Sequence, residues 1–351
     1  MIDTNTILLL IAICFTLSLA GTYGLKKLFL RYQVVDLPGE RRSHTTPTPR
    51  GGGMAIVVTF LLVFLLVGMF LPFERNIFWG LLLGGAAISA LGFVDDLYTL
   101  SRTPRILAWI GITALSVVFG ISLRSITLPF LGTIQFGLLS PLVTFLWLIG
   151  VTNFFNFMDG INGLAGLEAL LVAGFLAGIA YWTGNNFIFV AGLIVFGSAL
   201  GFLPHNFPKA KIFMGDGGSN FLGYVFAALT IIGSQSPENP IPFLVPTILL
   251  FMFLLDAAST LLKRLPRGKD WLEPHRDHLY QRLIKLGYTH TQVTLAYSAI
   301  NLFLGGMAIL YFGSDGFLSL LYLALSVVPF LVLVLFTIMK ERRYNSVLNN
   351  Q

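Results

Sequence analysis

The chain is 351 residues long, 56% hydrophobic and only 11% charged, with a formal net charge of +6 and a single cysteine. Soluble domains carry about 25% charged residues, so this composition excludes a soluble globular fold and points to an integral membrane protein. The lone Cys14 excludes an intramolecular disulfide, and no polar stretch is long enough for a separate soluble domain.

Apolar runs near the spanning length of about 20 residues occur at 5–30, 53–72, 77–94, 105–121, 137–152, 162–182, 187–203, 219–233, 241–262, 291–312 and 317–338. The first has no basic residue before it and no small-residue cleavage site after it, so it reads as a retained helix and not a signal peptide. Eleven spans, with the N-terminus outside and the C-terminus cytoplasmic, leave only Arg75 and Arg124 of the 22 basic residues on the outer side, as the positive-inside rule requires. The expected fold is therefore an all-α integral membrane protein. It forms one polytopic domain over residues 1–351, with cytoplasmic loops at 31–52, 95–104, 153–161, 204–218 and 263–290.

Five polar motifs fall on that one face. The first, VDLPGERRSHTTPTPRGGG from Val35 to Gly53, is fixed by Pro and Gly and carries His44, Arg41, Arg42 and Arg50. Guanidinium forks of this kind suit phosphate. The second, GFVDDLYTLSRTPR, places Asp95 and Asp96 side by side ahead of Arg102 and Arg105. Adjacent acids repel unless a cation or proton lies between them, and a helix C-terminus disfavours carboxylates.

The third, NFFNFMDGINGLAG from Asn153 to Gly166, spaces Asn153, Asn156 and Asp159 three apart, along one face of a helix end. In the fourth, KIFMGDGGSNFLGY, glycines bracket Asp216, and Ser219 reads as the N-cap of the next helix. The fifth, WLEPHRDHLYQRLIKLGY, starts a helix at Pro274 and gathers His275, Arg276, His278 and Arg282. Each motif has a plain alternative, as an anchor loop, a tight turn or an interfacial helix. Five of them on one face go beyond those needs.

Asp and Asn oxygens without thiols favour Mg²⁺ or Mn²⁺ over Zn²⁺, and Mg²⁺ sites commonly share the ion with substrate phosphates. Residue types alone thus describe a membrane enzyme acting on a phosphorylated substrate at the cytoplasmic interface. A transporter or flippase for a phosphorylated lipid would line a midplane path with polar groups, whereas the helix middles here read as plain apolar. The spacing of acids after Asp159–Gly160 also departs from the CDP-alcohol phosphotransferase pattern.

These motifs resemble the polyprenyl-phosphate N-acetylhexosamine-1-phosphate transferases of glycosyltransferase family 4, from the first inside loop to Tyr288. The family's NxxNxxDG corresponds to Asn153, Asn156, Asp159 and Gly160, its paired acids to Asp95 and Asp96, and its GDxGS to Gly215, Asp216, Gly218 and Ser219. The last loop, PHRDHLYQRL, is most similar to the O-antigen-initiating branch, and the three-histidine loop of the peptidoglycan branch is absent. The lysine that some members carry after the paired acids is also absent.

The resemblance implies transfer of a sugar-1-phosphate from a UDP-sugar to undecaprenyl phosphate, with release of UMP, at the cytoplasmic face of the bacterial inner membrane. It implies Mg²⁺ (or Mn²⁺) on Asn156 and Asp216, and catalytic roles for Asp95, Asp96 and Asp159. Substrate contacts would come from Asn153, His44, Arg50, Arg102, Arg105, His275, Arg276 and His278. The partners it implies are the UDP-sugar, the lipid phosphate and the bilayer, with a homodimer allowed and no nucleic acid.

Overall fold

The computed structural model describes residues 3–33, 35–36, 47–98, 100–264 and 277–348. Its helices are α1 (Thr4–Arg31), α2 (Met54–Phe70), α3 (Arg75–Tyr98), α4 (Arg102–Val118), α5 (Ser140–Phe157), α6 (Leu164–Thr183), α7 (Asn186–Asn206), α8 (Asp216–Ser234), α9 (Leu244–Leu249), α10 (Phe251–Arg264), α11 (Leu279–Lys285), α12 (His290–Phe312) and α13 (Gly316–Leu348). Each of the eleven apolar runs lies on a helix, the ninth being broken at Leu250 into α9 and α10. Seven described helices are long and apolar enough to cross a membrane. The protein is an all-α integral membrane protein, as its composition requires, because lipid leaves backbone groups no partner outside the helix itself.

Two small antiparallel pairings interrupt the helices. Strands β1 (Val35–Asp36) and β2 (Thr48–Pro49) pair ahead of α2, and β3 (Ser125–Leu128) pairs with β4 (Gly132–Gln135) between α4 and α5. The sequence reading had no strands. The second pairing is a hairpin of two four-residue strands whose alternation is too short to register beside long apolar runs.

At the centre stands α8, packed chiefly on α3 and α5. Every residue from 217 to 233 except Asn220 is buried, so this helix has almost no lipid-facing side. That explains why its apolar run, 219–233, is short: a helix surrounded by protein can hold Gly, Ser and Thr where a lipid-facing one needs Leu and Phe. Helix α7 gathers α1, α2 and α6 and, with α2, touches α8, while α12 joins α6 to α13.

Polar side chains do enter the bundle, contrary to the expectation of plain apolar helix middles. Buried Asn301 of α12 donates to buried Glu168 of α6, and Asp256 of α10 is fully buried. Lone charges within an apolar run leave little mark on a hydropathy reading.

Candidate active site

Ion pairs and hydrogen bonds bring together the segment ahead of α2, the C-terminal ends of α3 and α5, and the start of α8. Backbone pairing assembles the centre. Phe213 N donates to Pro49 O at 2.8 Å, Gly51 N and Gly52 N donate to Phe213 O at 3.1 and 2.8 Å, and Gly53 N donates to Met214 O at 2.9 Å. This ladder carries Arg50 to the first turn of α8.

Glycine makes the approach of α3 to α8 possible. A side chain at Gly92 would run into the Asp216 peptide, and Gly215 holds φ +81°, where a Cβ would also come within 2.7 Å of Asp96 Oδ2. Only glycine adopts that backbone readily.

Three carboxylates converge there. Arg50 Nη2 is 2.5 Å from Asp216 Oδ1, and its Nε is 2.9 Å from Asp96 Oδ1. Asp96 Oδ2 also accepts from Gly217 N at 3.3 Å, in the first turn of α8. Asn156, in the last turn of α5, donates to Asp216 Oδ1 at 3.0 Å and to Ser219 Oγ at 2.8 Å. Asp159 follows in the turn after α5 and faces Arg50, Asp216, Asp96 and the Gly215 N–H.

Electrostatics within the cluster are one-sided. Burial pushes the Asp159 carboxyl well above the usual carboxylate range; Arg50 opposes this, while Asp216 and Asp96 add to it. Burial alone would lower Arg50, but the neighbouring carboxylates of Asp216, Asp96 and Asp159 outweigh it and hold the guanidinium above its ordinary value. One guanidinium among three carboxyls leaves the cluster short of positive charge, so it retains a proton or attracts a cation.

The expected Mg²⁺ can be tested against this donor set. Among the described residues no three acidic or imidazole groups close on one point as a preformed metal cage would, because Arg50 stands between Asp96 and Asp216. Yet the available atoms are hard oxygens, and Mg²⁺ ordinarily takes one or two carboxylates and completes its shell with water and substrate phosphate. The cluster fits such an ion, with Asp216 and Asp159 as carboxylates and Asn156 beside them.

The remaining predicted residues separate. Asp95 turns away from Asp96. Its Oδ1 accepts from Leu100 N at 2.6 Å and lies 3.1 Å from Arg105 Nη2, fastening the α3–α4 turn. Arg102 and Arg105 are exposed at the start of α4. Asn153 donates to Ile149 O within its own helix at 2.7 Å, so it is not joined to the cluster. His278 is buried and stacks on Tyr280, with ring centroids 6.0 Å apart. His44, His275, Arg276 and the expected helix start at Pro274 lie outside the described residues.

Two local readings change. Gly215, not Ser219, caps α8, and Ser219 lies inside the first turn, donating to Gly215 O at 3.1 Å. Asn153 and Asn156 lie at the end of α5, as their spacing predicts, and the loop expected from 153 begins only after Phe157. The sequence reading also passed over Asp256 and Tyr280. A carboxylate isolated in the apolar run FMFLLDAAST was the one available signal for the former.

A cavity of about 570 Å³ lies at the opposite end of the bundle, lined in part by Glu74, Arg124, Asn185, Phe187, Ile231 and Gln235. It is far from the carboxylates and does not share their chemistry.

Comparison with known proteins agrees with the motifs. Residues 78–234 match the family described as Glycosyl transferase family 4. The chain is 30% identical to a probable undecaprenyl-phosphate N-acetylglucosaminyl 1-phosphate transferase of Bacillus subtilis, over 91% of this chain and 89% of the relative. It is 30% identical to a decaprenyl-phosphate N-acetylglucosaminephosphotransferase of Mycobacterium leprae, over 76% and 73%. It is 27% identical to an undecaprenyl-phosphate alpha-N-acetylglucosaminyl 1-phosphate transferase of Yersinia pestis, over 80% and 79%. With the matched segment running from α3 through α8, which carry Asp96, Asn156, Asp159 and Asp216, the chain belongs to glycosyl transferase family 4, the polyprenyl-phosphate N-acetylhexosamine-1-phosphate transferases.

Proposed function

We propose that the protein transfers an N-acetylhexosamine 1-phosphate, of the plain or 6-deoxy type, from a UDP-sugar to undecaprenyl phosphate. This would begin a lipid-linked cell-surface glycan such as O-antigen. The observation that carries this reading is the convergence of Asp96, Asp159 and Asp216 on Arg50, beside a largely buried Asp95 paired with an exposed Arg105.

In this reading an oxygen of the lipid phosphate attacks the β-phosphorus of the UDP-sugar. The bond from that phosphorus to the bridging oxygen breaks, and UMP leaves with the electron pair. Asp216 and Asp159, with Asn156 beside them, would hold Mg²⁺, which neutralises charge on the diphosphate. Arg50 holds the carboxylates together and offers its fork to phosphate as charge moves toward the leaving group. Asp95 and Arg105 meet the acceptor: the guanidinium binds the lipid phosphate, and the carboxylate keeps it oriented and ionised. His278 contributes from the far side, where its ring abuts the end of α5. Twenty basic residues on the motif-bearing side of the predicted topology support a cytoplasmic active site in a bacterial inner membrane, where nucleotide sugars are available.

The test is turnover by purified full-length protein with undecaprenyl phosphate and a panel of UDP-N-acetylhexosamines. UMP release with at least one sugar is expected, lost on metal stripping and restored by Mg²⁺ or Mn²⁺. No UMP from any sugar, or turnover that persists in excess EDTA, rejects the reading.

A further inference from the structure

Asp256 stands apart from the carboxylate cluster and is fully buried in α10. A carboxylate in such a place is costly unless donors surround it, and here they do. Its Oδ1 accepts from Leu279 N at 2.7 Å and from the Thr260 hydroxyl at 3.5 Å. Its Oδ2 accepts from the Tyr297 hydroxyl of α12 at 2.8 Å and from Tyr280 N at 3.4 Å. His278 Nδ1 stands 3.7 Å from Oδ1.

Leu279 and Tyr280 open α11, and the first N–H groups of a helix have no partner inside it. Asp256 is thus a helix cap supplied from a different helix, and it fixes α11 to α10 and α12 together. The contacts continue beyond α11. The Tyr280 hydroxyl donates to Phe157 O at 3.0 Å, and its ring occupies the space where a side chain at Gly160 would sit. The His278 ring packs between Tyr280 and Phe157, with centroids 6.0 and 5.9 Å away. An unbroken series of contacts therefore leads from Asp256 to the Phe157–Gly160 turn, which carries Asp159 and follows directly on Asn156.

We propose that Asp256 is a positioning residue for the nucleoside-diphosphate site: it locks the first turn of α11 so that His278 and Tyr280 hold the Phe157–Gly160 turn in register with Asp216. The role requires a carboxylate. An asparagine would turn an NH₂ toward N–H and O–H donors on one side, and a glutamate would not fit the same buried space. The identity of the ligand rests on the function proposed above; the mechanical role of Asp256 does not.

The experiment uses the full chain in lipid nanodiscs, as native protein, Asp256→Asn, His278→Ala, the double variant and Tyr297→Phe. Hydrogen exchange over residues 277–286, UDP affinity by calorimetry in Mg²⁺, and steady-state kinetics are read together. In Asp256→Asn, exchange should quicken at Leu279 and Tyr280 and in the Phe157–Gly160 turn while α1 to α4 stay unchanged. UDP affinity and KM should weaken roughly tenfold or more, the scale expected of a displaced positioning group. The losses in Asp256→Asn and His278→Ala should not multiply in the double variant, since one acts through the other. Tyr297→Phe should move in the same direction by less.

Native UDP affinity per folded molecule in Asp256→Asn, or losses that multiply, overturns the proposal. If Asp256→Asn does not fold, Tyr297→Phe decides: faster exchange at Leu279 and Tyr280 with unchanged UDP affinity overturns it. Failure of the native protein to use any UDP-sugar would reject the function instead, and the exchange measurement would still report whether Asp256 fixes α11.

Discussion

Arg50 is a tethered cation placed where three carboxyls would otherwise repel one another, and burial holds the Asp159 carboxyl well above its ordinary range. The sign of the resulting pH dependence follows. Burial raises Asp159 above its ordinary value of 3.8, so in the window above that value the metal-free folded protein binds a proton that the unfolded chain has lost. Stability without metal therefore falls as pH rises through that window. A divalent cation needs the ionised form, so Mg²⁺ binding should release a proton and tighten with rising pH until Asp159 is fully ionised. Calorimetry at several pH values, in two buffers of different ionisation enthalpy, checks this; a pH-independent affinity without proton release contradicts it.

The paired acids also separate at this scale. Asp96 faces Asp216 through Arg50, whereas Asp95 faces Arg105. Asp96→Asn should weaken Mg²⁺-dependent UDP binding as Asp216→Asn does. Asp95→Asn should leave that binding near native while turnover falls by about 10² to 10⁴, the range for loss of a group acting on the reacting proton or phosphate. Equal loss of nucleotide binding in both variants would place both acids with the nucleotide.

At the scale of elements, close contact between α3 and α8 decides whether the cluster forms at all. Gly92→Ala puts a methyl group against the Asp216 peptide and should cost about 1–3 kcal/mol through overpacking, along with metal-dependent UDP binding. Gly111→Ala, in α4 with open space around it, serves as the control and should be neutral or stabilising by up to about 1 kcal/mol. Thermal unfolding in one detergent compares them, and equal melting shifts would deny the contact its importance.

Much of this layer was legible in the sequence, because apolar length marks a membrane helix whatever it packs against. Helix ends were not. Asn153 and Asn156 are polar because they near a site, so hydropathy stops before the helical hydrogen bonding does. Nor could adjacent acids reveal which one faces inward, since successive helical residues point about 100° apart. Asp256 was hidden for another reason: the two N–H groups of α11 and the hydroxyl that hydrogen-bond it lie 23, 24 and 41 residues further along the chain.

For the whole molecule, the proposed orientation makes the two ends chemically distinguishable from outside a cell. In a Cys14→Ser background, cysteines at Arg124 and Glu238, beside the far cavity, should react with an impermeant reagent applied externally. A cysteine at Lys211, beside the carboxylate end, should react only after the cells are opened. External labelling at 211 would invert the topology and remove the site from its nucleotide.

The burial of α8 has a consequence for biogenesis. A segment that presents almost no side chain to lipid gains little by partitioning into the bilayer alone, and α8 is not among the seven helices with the length and composition to do so. Its main neighbours, α3 and α5, are both synthesised before it. During translation they can wait as a prepared cleft, into which α8 moves from the insertion machinery without dwelling among lipids. Asp216, at its leading end, would then meet Asp96, Asn156 and Arg50 in that same movement. On this account the carboxylate cluster and the protein-enclosed α8 are completed in a single assembly step, and a ribosome halted before α8 would leave behind a bundle with an open seam.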